Sequence, residues 1–156
     1  MKIMDFLCKD AIIVDLKSTK KEDVIKELID ALIQAGQLKK IHRDSLIEAV
    51  LAREKLGSTA IGQGVAIPHA KSEYVEKLIA SLGISSKGID FDSLDDEPVY
   101  IVFLLLSSQD SAGPHLKALA LISRLLKDKY FRENLRNAKD SNSIVQLIIQ
   151  EDEKKI

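Results

Sequence analysis

The sequence predicts an α+β fold, a three-layer α/β/α sandwich in which a mixed β-sheet is flanked by helices. Short apolar runs typical of buried strands alternate with longer segments whose apolar residues recur at helical spacing. The predicted order is strand, two helices, three strands and three helices, which favours a sheet covered by helices on both faces. The chain of 156 residues is expected to form one domain, residues 1–156.

One strand and two helices are predicted in the first third of the chain. The apolar run Ala11–Leu16 predicts the first strand. Apolar residues at helical spacing then predict an amphipathic helix that Ser18 or Thr19 caps and that stops at Gly36. A second helix is predicted to begin near Asp44.

Three strands follow a glycine-rich loop, Gly57–Gly64. They are predicted at Val65–Pro68, Leu78–Ser85 and Val99–Leu106, with an acidic turn at Phe91–Pro98. The last strand is apolar throughout, which predicts a central strand that is covered on both faces. The long connection after the first strand allows a parallel neighbour, whereas the later strands can form antiparallel pairs, so we expect a mixed sheet.

Helices are predicted in the last third. One begins near His115, a second covers Tyr130–Asn137 and a third covers Asn142–Ile149, with Ser141 or the first residue of that range as its cap. The charged tail from Gln150 is expected to fray.

Composition excludes several classes of function. A net charge of −1 argues against nucleic-acid binding, and the longest apolar run, Tyr100–Leu106, is too short to insert into a membrane. Cys8 is the one cysteine, so it forms neither an internal disulfide nor a thiolate metal cage, and we expect it to be a small, buried or partly exposed apolar residue. No targeting segment is recognised, and these features predict a cytoplasmic location.

The chain has three histidines, and two of them are candidates for chemistry. His42 lies in a basic loop and is predicted to be a solvated surface residue. His69 follows Pro68 at the predicted end of a strand, a common place for a functional residue. His115 follows Gly113-Pro114 and is predicted in the first turn of a helix, although spacing alone does not show that the two meet.

Three kinds of histidine chemistry make different demands on the sequence. A zinc site needs ligands at characteristic spacings that this chain lacks, and a serine hydrolase needs a nucleophile elbow that is also missing. A histidine that is itself a phosphoryl acceptor needs only exposure, in-line access and donors for the phosphoryl oxygens. The glycine-rich loop matches neither nucleotide-binding fingerprint.

The segment Glu54–Ala70 resembles the phosphorylation-site signature of a known family. It is similar to the EIIA domains of the phosphoenolpyruvate-dependent sugar phosphotransferase system, fructose/mannitol type (EIIA type 2), and most similar to the stand-alone nitrogen-regulatory EIIA. The likeness covers roughly residues 10–149. The fixed positions of the signature are occupied by Glu54, Ile61, Gly62, Val65, Ala66, Ile67, Pro68, His69 and Ala70.

The resemblance implies a phosphocarrier and a set of site residues. His69 would accept a phosphoryl group from HPr or its nitrogen-branch paralogue, and His115 would hydrogen-bond the imidazole or the phosphoryl group. Arg53 would balance the phosphoryl charge, for which a guanidinium fork is suited. Ser58 and Thr59 would add hydroxyl donors. The resemblance implies no metal and no organic cofactor.

Several alternatives stay open at this stage. The chain is either a nitrogen-regulatory EIIA that signals to target proteins or the EIIA component of a fructose/mannitol-type permease that donates to a separate EIIB. A third alternative is a non-phosphorylated binding module of the same fold, and a metal-dependent hydrolase is a remote fourth. Arg53 has a purely structural alternative, pairing with Glu54 or another carboxylate on the second helix. An apolar rim for a partner protein is expected from Ile61, Val65 and Ile67.

Overall fold

The computed structural model describes residues 1–154, and it confirms the mixed sheet between two layers of helices. The strands are β1 (Leu7–Ile13), β2 (Ala60–Gly62), β3 (Val65–Ala66), β4 (His69–Lys71), β5 (Ile79–Ile89) and β6 (Val99–Ser107). The helices are α1 (Lys21–Gln34), α2 (Arg43–Lys55), α3 (Ala112–Leu125), α4 (Lys129–Asn137) and α5 (Ser141–Glu153). Short 3₁₀ helices lie at Ile3–Asp5 and Lys40–His42.

Strand β6 is the centre of the sheet. It pairs antiparallel with β5 along one edge, and β5 pairs parallel with β1. Along its other edge it pairs parallel first with β3 and then with β4, while β2 pairs antiparallel with β3. The order is therefore β1-β5-β6-β3-β2, with β4 beside the carboxyl end of β6.

Alternation along β6 divides the core into two. Val102, Leu104 and Leu106 pack on the face covered by α1 and α2. The intervening side chains pack on the face covered by α3, α4 and α5, and they are Ile101, Phe103 and Leu105. Both faces are buried, as the apolar run predicted.

Strands β3 and β4 are one extended segment interrupted at Ile67 and Pro68. Proline has no backbone N–H, so it cannot donate to the ladder. Its carbonyl still accepts from the N–H of Leu105 at 3.0 Å, which keeps the segment beside β6. The interruption ends one strand and starts the next at His69, in register with Leu105.

The predicted cap of α1 is wrong. The helix begins at Lys21 after Lys20, and neither Ser18 nor Thr19 caps it. The carboxylate of Glu27 instead accepts from the backbone N–H of Ser18 at 3.1 Å and of its neighbour Lys17 at 3.0 Å. A side chain from the second turn of the helix therefore orders the entering loop, which no local pattern indicates.

The last helix also differs from its prediction. Asp140 caps it, rather than Ser141 or Asn142, by accepting from the backbone N–H of Ser143 at 2.7 Å. The helix continues to Glu153, so residues 150–153 of the predicted frayed tail are ordered, and the last two residues lie outside the described range. Asp152 accepts from the N–H groups of Ile3 at 2.8 Å and Met4 at 3.0 Å, a contact between chain ends.

Strand boundaries differ more than helix boundaries. The first strand covers Leu7–Ile13 rather than Ala11–Leu16, because Lys9 and Asp10 interrupt its apolar pattern where the register with β5 shifts. Strand β2 was predicted as loop.

No helix within residues 1–154 combines the length and apolar character that crossing a membrane requires.

Gly83 gives a test of the packing between β5 and the β1–α1 connection. A Cβ atom on Gly83 would lie 2.7 to 2.8 Å from the side chain of Leu16, which is buried. We expect Gly83→Ala to lower the free energy of unfolding by about 1–3 kcal/mol through overpacking, measured by urea denaturation.

Gly113→Ala is the matched control, since nothing lies within 4 Å of a Cβ on Gly113 in helix α3. Alanine is the better helix former, so this variant should be neutral or more stable by about 0.5–1 kcal/mol. Equal effects of the two variants would contradict the packing argument.

Candidate functional site

The two candidate histidines meet where β4 begins, beside the carboxyl end of β6. Ala70 packs on the α1–α2 face, so its neighbours His69 and Lys71 project to the opposite face, where α3 lies. His115 is on the first turns of α3, as predicted. The ring centroids of the two histidines are 5.3 Å apart, and the rings are tilted by 60°.

A backbone carbonyl fixes the tautomer of His69. Its Nδ1 lies 2.8 Å from the carbonyl oxygen of Ile67, which only accepts hydrogen bonds. Nδ1 therefore carries the proton in the neutral ring, and Nε2 has the free lone pair. Nδ1 is held by this bond, while the side chain as a whole is only half-buried.

His115 is held by a buried serine. Its Nδ1 lies 2.6 Å from the hydroxyl oxygen of Ser107, the last residue of β6. Ser107 is fully buried and His115 almost so. Ser107 continues the alternation of Phe103 and Leu105, which is why its hydroxyl faces α3.

Both imidazoles are poor bases. Burial is the main reason that the pKa of His69 lies below its ordinary value; Arg53 lowers it further, while the bond to Ile67 and the charge of Glu54 act in the opposite direction. Burial, followed by repulsion from His69 and Lys71, lowers the pKa of His115 to about 4. The two rings are therefore mainly neutral at pH 7.

Arg53 lies in the last turn of α2, near enough to His69 to affect its pKa. Its Nη1 donates to the carbonyl oxygen of Gly57 at 2.8 Å. The alternative of an ion pair with Glu54 is not observed, and no carboxylate in residues 1–154 lies within 4 Å of this guanidinium. The structure therefore places a cation without a carboxylate partner beside the histidines.

The hydroxyls of Ser58 and Thr59 already have partners. Ser58 Oγ donates to the carbonyl of Phe91 at 2.7 Å and accepts from the N–H of Ala60 at 3.1 Å. Thr59 Oγ1 donates to the carboxylate of Glu54. Their role as phosphoryl donors stays a prediction, and each hydroxyl would have to leave its present acceptor to fulfil it.

A buried ion pair supports the loop that leads to the site. Only 3% of the Glu54 side chain is exposed, and its carboxylate lies 3.1 Å from the Lys21 ammonium. The same carboxylate accepts from the N–H of Thr59 at 3.2 Å. Lys21 also lies 3.4 Å from Asp92 and over the Phe91 ring, 5.0 Å from its centroid. Helix α1, the end of α2 and the glycine-rich loop are thus tied together.

Sequence reasoning did not single out two residues that lie beside the candidate histidines, Ser107 and Lys71. They pair directly with each other across the β4–β6 ladder. Ser107 could have been noticed as the serine that ends an apolar strand five residues before a helix. Lys71 could have been noticed because it is two residues from His69, and such residues share one face of a strand. Neither signal was usable before the pairing of the strands was known.

The structure corrects two other expectations, one about the rim and one about His42. Val65 and Ile67 are buried in the core and form no rim, whereas Ile61 is half exposed. His42 is not a freely solvated residue, because it is half-buried and stacks on Tyr74 with centroids 4.0 Å apart. In the part of the chain that the structure describes, no group of three or more candidate ligands is placed to hold a metal ion.

Comparison with known proteins identifies the family. Residues 5–151 match the family described as phosphoenolpyruvate-dependent sugar phosphotransferase system, EIIA 2. The chain belongs to this family. This EIIA 2 chain is 39% identical over 148 residues to a nitrogen regulatory protein of Bradyrhizobium diazoefficiens, and the match covers 95% of each chain.

Two further proteins are similar to the EIIA 2 chain. It is 38% identical over 152 residues to the fructose-specific EIIABC component of Bacillus subtilis, which covers 97% of this chain but 24% of that protein. Its structure matches the nitrogen regulatory protein IIA-Ntr of Neisseria meningitidis with a TM-score of 0.85 and 29% identity, over 94% of this chain and 98% of that one. The fold prediction is confirmed by this match.

The titration of the histidines tests the geometry of the site. NMR titration should give a midpoint of about 4 for His115 and a midpoint below 6.5 for His69. Lys71→Met should raise the His115 midpoint, because it removes a nearby positive charge. Since the unfolded chain binds this proton near pH 6.5, stability should fall as the pH drops from 6.5 through about 4.

Lys87→Met, a change of the same kind on the far end of β5, should leave both midpoints unchanged. A midpoint near 6.5 for His115 would contradict its placement in a buried contact with His69.

The ion pair of Glu54 gives a test of stability. Glu54→Ala should lower the free energy of unfolding by about 2–4 kcal/mol, because it leaves Lys21 and Thr59 without their buried acceptor. The control Glu22→Ala removes a solvent-exposed partner 3.5 Å from Lys26 and should cost less than about 0.5 kcal/mol. Similar small losses in both variants, by urea denaturation, would refute the assignment.

Proposed function

We propose that this EIIA 2 chain is a phosphocarrier that accepts a phosphoryl group on His69 from HPr or its nitrogen-branch paralogue. The observation that carries the proposal is the bond from His69 Nδ1 to the Ile67 carbonyl, which leaves a neutral imidazole with a free lone pair on Nε2. The depressed pKa of His69 keeps that lone pair available at pH 7.

The transfer step exchanges one P–N bond for another. Nε2 of His69 attacks the phosphorus in line with the donor's P–N bond, whose electron pair returns to the donor imidazole. The proton stays on Nδ1 of His69, hydrogen-bonded to the Ile67 carbonyl, as the ring becomes positively charged. No acid or base is needed to start the reaction, because the lone pair is already free.

Three neighbours are proposed to stabilise the transferred group. His115 donates a hydrogen bond to a phosphoryl oxygen from beside the acceptor ring. The guanidinium of Arg53, which no carboxylate neutralises, and the ammonium of Lys71 balance the charge. Ser58 and Thr59 remain candidates of lower rank, since their hydroxyls are used within the loop.

A protein donor needs an accessible apolar face around the acceptor. Exposed aliphatic side chains occur next to the site residues in the chain: Leu56 follows the last turn of α2, Ile61 lies on β2 and Leu116 follows His115. Leu116 is 67% exposed and Leu56 84%. These residues, and not the buried Val65 and Ile67, are proposed to form the docking rim.

Signalling in the nitrogen-regulatory branch is the first candidate for what the phosphorylated chain does. The 95% mutual coverage with the Bradyrhizobium protein and the TM-score of 0.85 with the Neisseria structure support it. The identity of 38% with the fructose-specific EIIABC component favours transfer to an EIIB as the second candidate. A cytoplasmic location suits both.

Intact mass measurement tests the proposal directly. The chain is incubated with phosphoenolpyruvate, Enzyme I and either HPr or the nitrogen-branch paralogue. We expect an acid-labile gain of one phosphoryl group that is absent in His69→Ala. His115→Ala and Arg53→Ala should slow the gain by about a hundredfold, the effect of losing one transition-state donor.

His42→Ala is the matched control, because His42 stacks on Tyr74 away from the site, and it should react like the wild type. Faster transfer from the nitrogen-branch carrier would support the regulatory branch, and rapid discharge to an EIIB the permease branch. No gain from either carrier would refute the phosphocarrier and leave a binding module.

A further inference from the structure

We infer that Ser107 is a positioning residue that selects the tautomer of His115 in which Nε2 carries the proton. This inference rests on the proposed function, since the protonated Nε2 is the donor offered to a phosphoryl oxygen on His69. The side chain of Ser107 does not need to touch the phosphoryl group itself.

The number of acceptors near Ser107 decides the direction of its hydrogen bond. Its Oγ lies 2.6 Å from Nδ1 of His115 and has no other hydrogen-bond partner among residues 1–154. Ser107 is fully buried, so its hydroxyl is out of reach of bulk water. If Nδ1 of His115 donated, the serine O–H would be buried without an acceptor, which costs free energy.

The opposite direction satisfies both groups. The serine O–H donates to Nδ1, which therefore has no proton, and the single proton of the neutral ring is on Nε2. The pKa of about 4 means that His115 has only one ring proton at pH 7, so its location matters. A fixed donor costs no reorientation when charge arrives on the phosphoryl oxygens.

The two histidines are then held in opposite tautomers by different acceptors and donors. His69 donates a hydrogen bond from its Nδ1–H to the Ile67 carbonyl, whereas Nδ1 of His115 has no proton and accepts a hydrogen bond from the Ser107 hydroxyl. The lone pair on Nε2 of His69 is thus free to attack phosphorus, and the proton on Nε2 of His115 is free to donate to the transferred group. The two tautomers differ because Ile67, at the β3–β4 interruption, offers a carbonyl acceptor, whereas Ser107, at the end of β6, offers a hydroxyl donor.

The experiment compares Ser107→Ala with Ser81→Ala. Ser81 is also fully buried, in the adjacent strand β5, but its hydroxyl has no partner in the described chain, so the control removes the same atoms without a bond. Long-range ¹H–¹⁵N NMR spectra report the protonation of each ring nitrogen, and His69 serves as the internal reference with the opposite pattern. Ser107→Thr tests rescue, since it keeps the hydroxyl.

The expected result is an unprotonated Nδ1 and a protonated Nε2 on His115 in the wild type and in Ser81→Ala. Ser107→Ala should mix the two tautomers and slow phosphoryl uptake about threefold to tenfold, the range for one hydrogen bond. Ser107→Thr should restore both readouts. The fold of each variant is verified by its backbone amide spectrum.

Two results would overturn the inference: a protonated Nδ1 on wild-type His115, or a Ser107→Ala variant that takes up phosphoryl as fast as Ser81→Ala. Failure of the proposed function looks different, because the wild type itself would then gain no mass. The tautomer spectra are independent of phosphoryl transfer and still decide the direction of the Ser107 bond.

Discussion

The pairing of β4 with the carboxyl end of β6 is the constraint on which the site depends. Two parallel strands in register place Lys71 opposite Ser107 and His69 opposite Leu105. Because side chains alternate along each strand, His69, Lys71 and Ser107 all lie on the face where α3 packs, and His115 on α3 lies beside them. A slip of one residue in β4 would turn His69 into the α1–α2 core. The chemistry of the site is therefore a consequence of strand register.

The loop that joins α2 to β2 needs its own support, because Leu56, Gly57 and Ser58 are not part of the apolar core. The carboxylate of Glu54 replaces that core with a buried polar centre that binds an ammonium, a hydroxyl and a backbone N–H. Such a centre is stable only while every member is paired. It frees Arg53, the preceding residue, from any carboxylate and leaves its charge available at the site.

Much of the fold could be predicted from the sequence, and part of the site could not. Apolar periodicity located α1, α2 and the central strand, because burial on one or two faces leaves a regular pattern. The caps were predicted wrongly because α1 has no side-chain cap, while the distant Glu27 orders the loop before it, and because α5 is capped by an acid one position earlier, Asp140. His69 could be singled out by its motif, but its tautomer depends on a carbonyl two residues away, which only folded geometry reveals.

Two neutral imidazoles flanked by two cations give the site a positive field at pH 7. Arg53 and Lys71 both lie close enough to shift the histidine pKa values, and a phosphoryl group adds about two negative charges. A donor that carries such a group would be steered toward the site, and the attraction would weaken once the group had been transferred and the field cancelled. Loading would thus be faster at low ionic strength, while release of the spent donor would need no separate trigger.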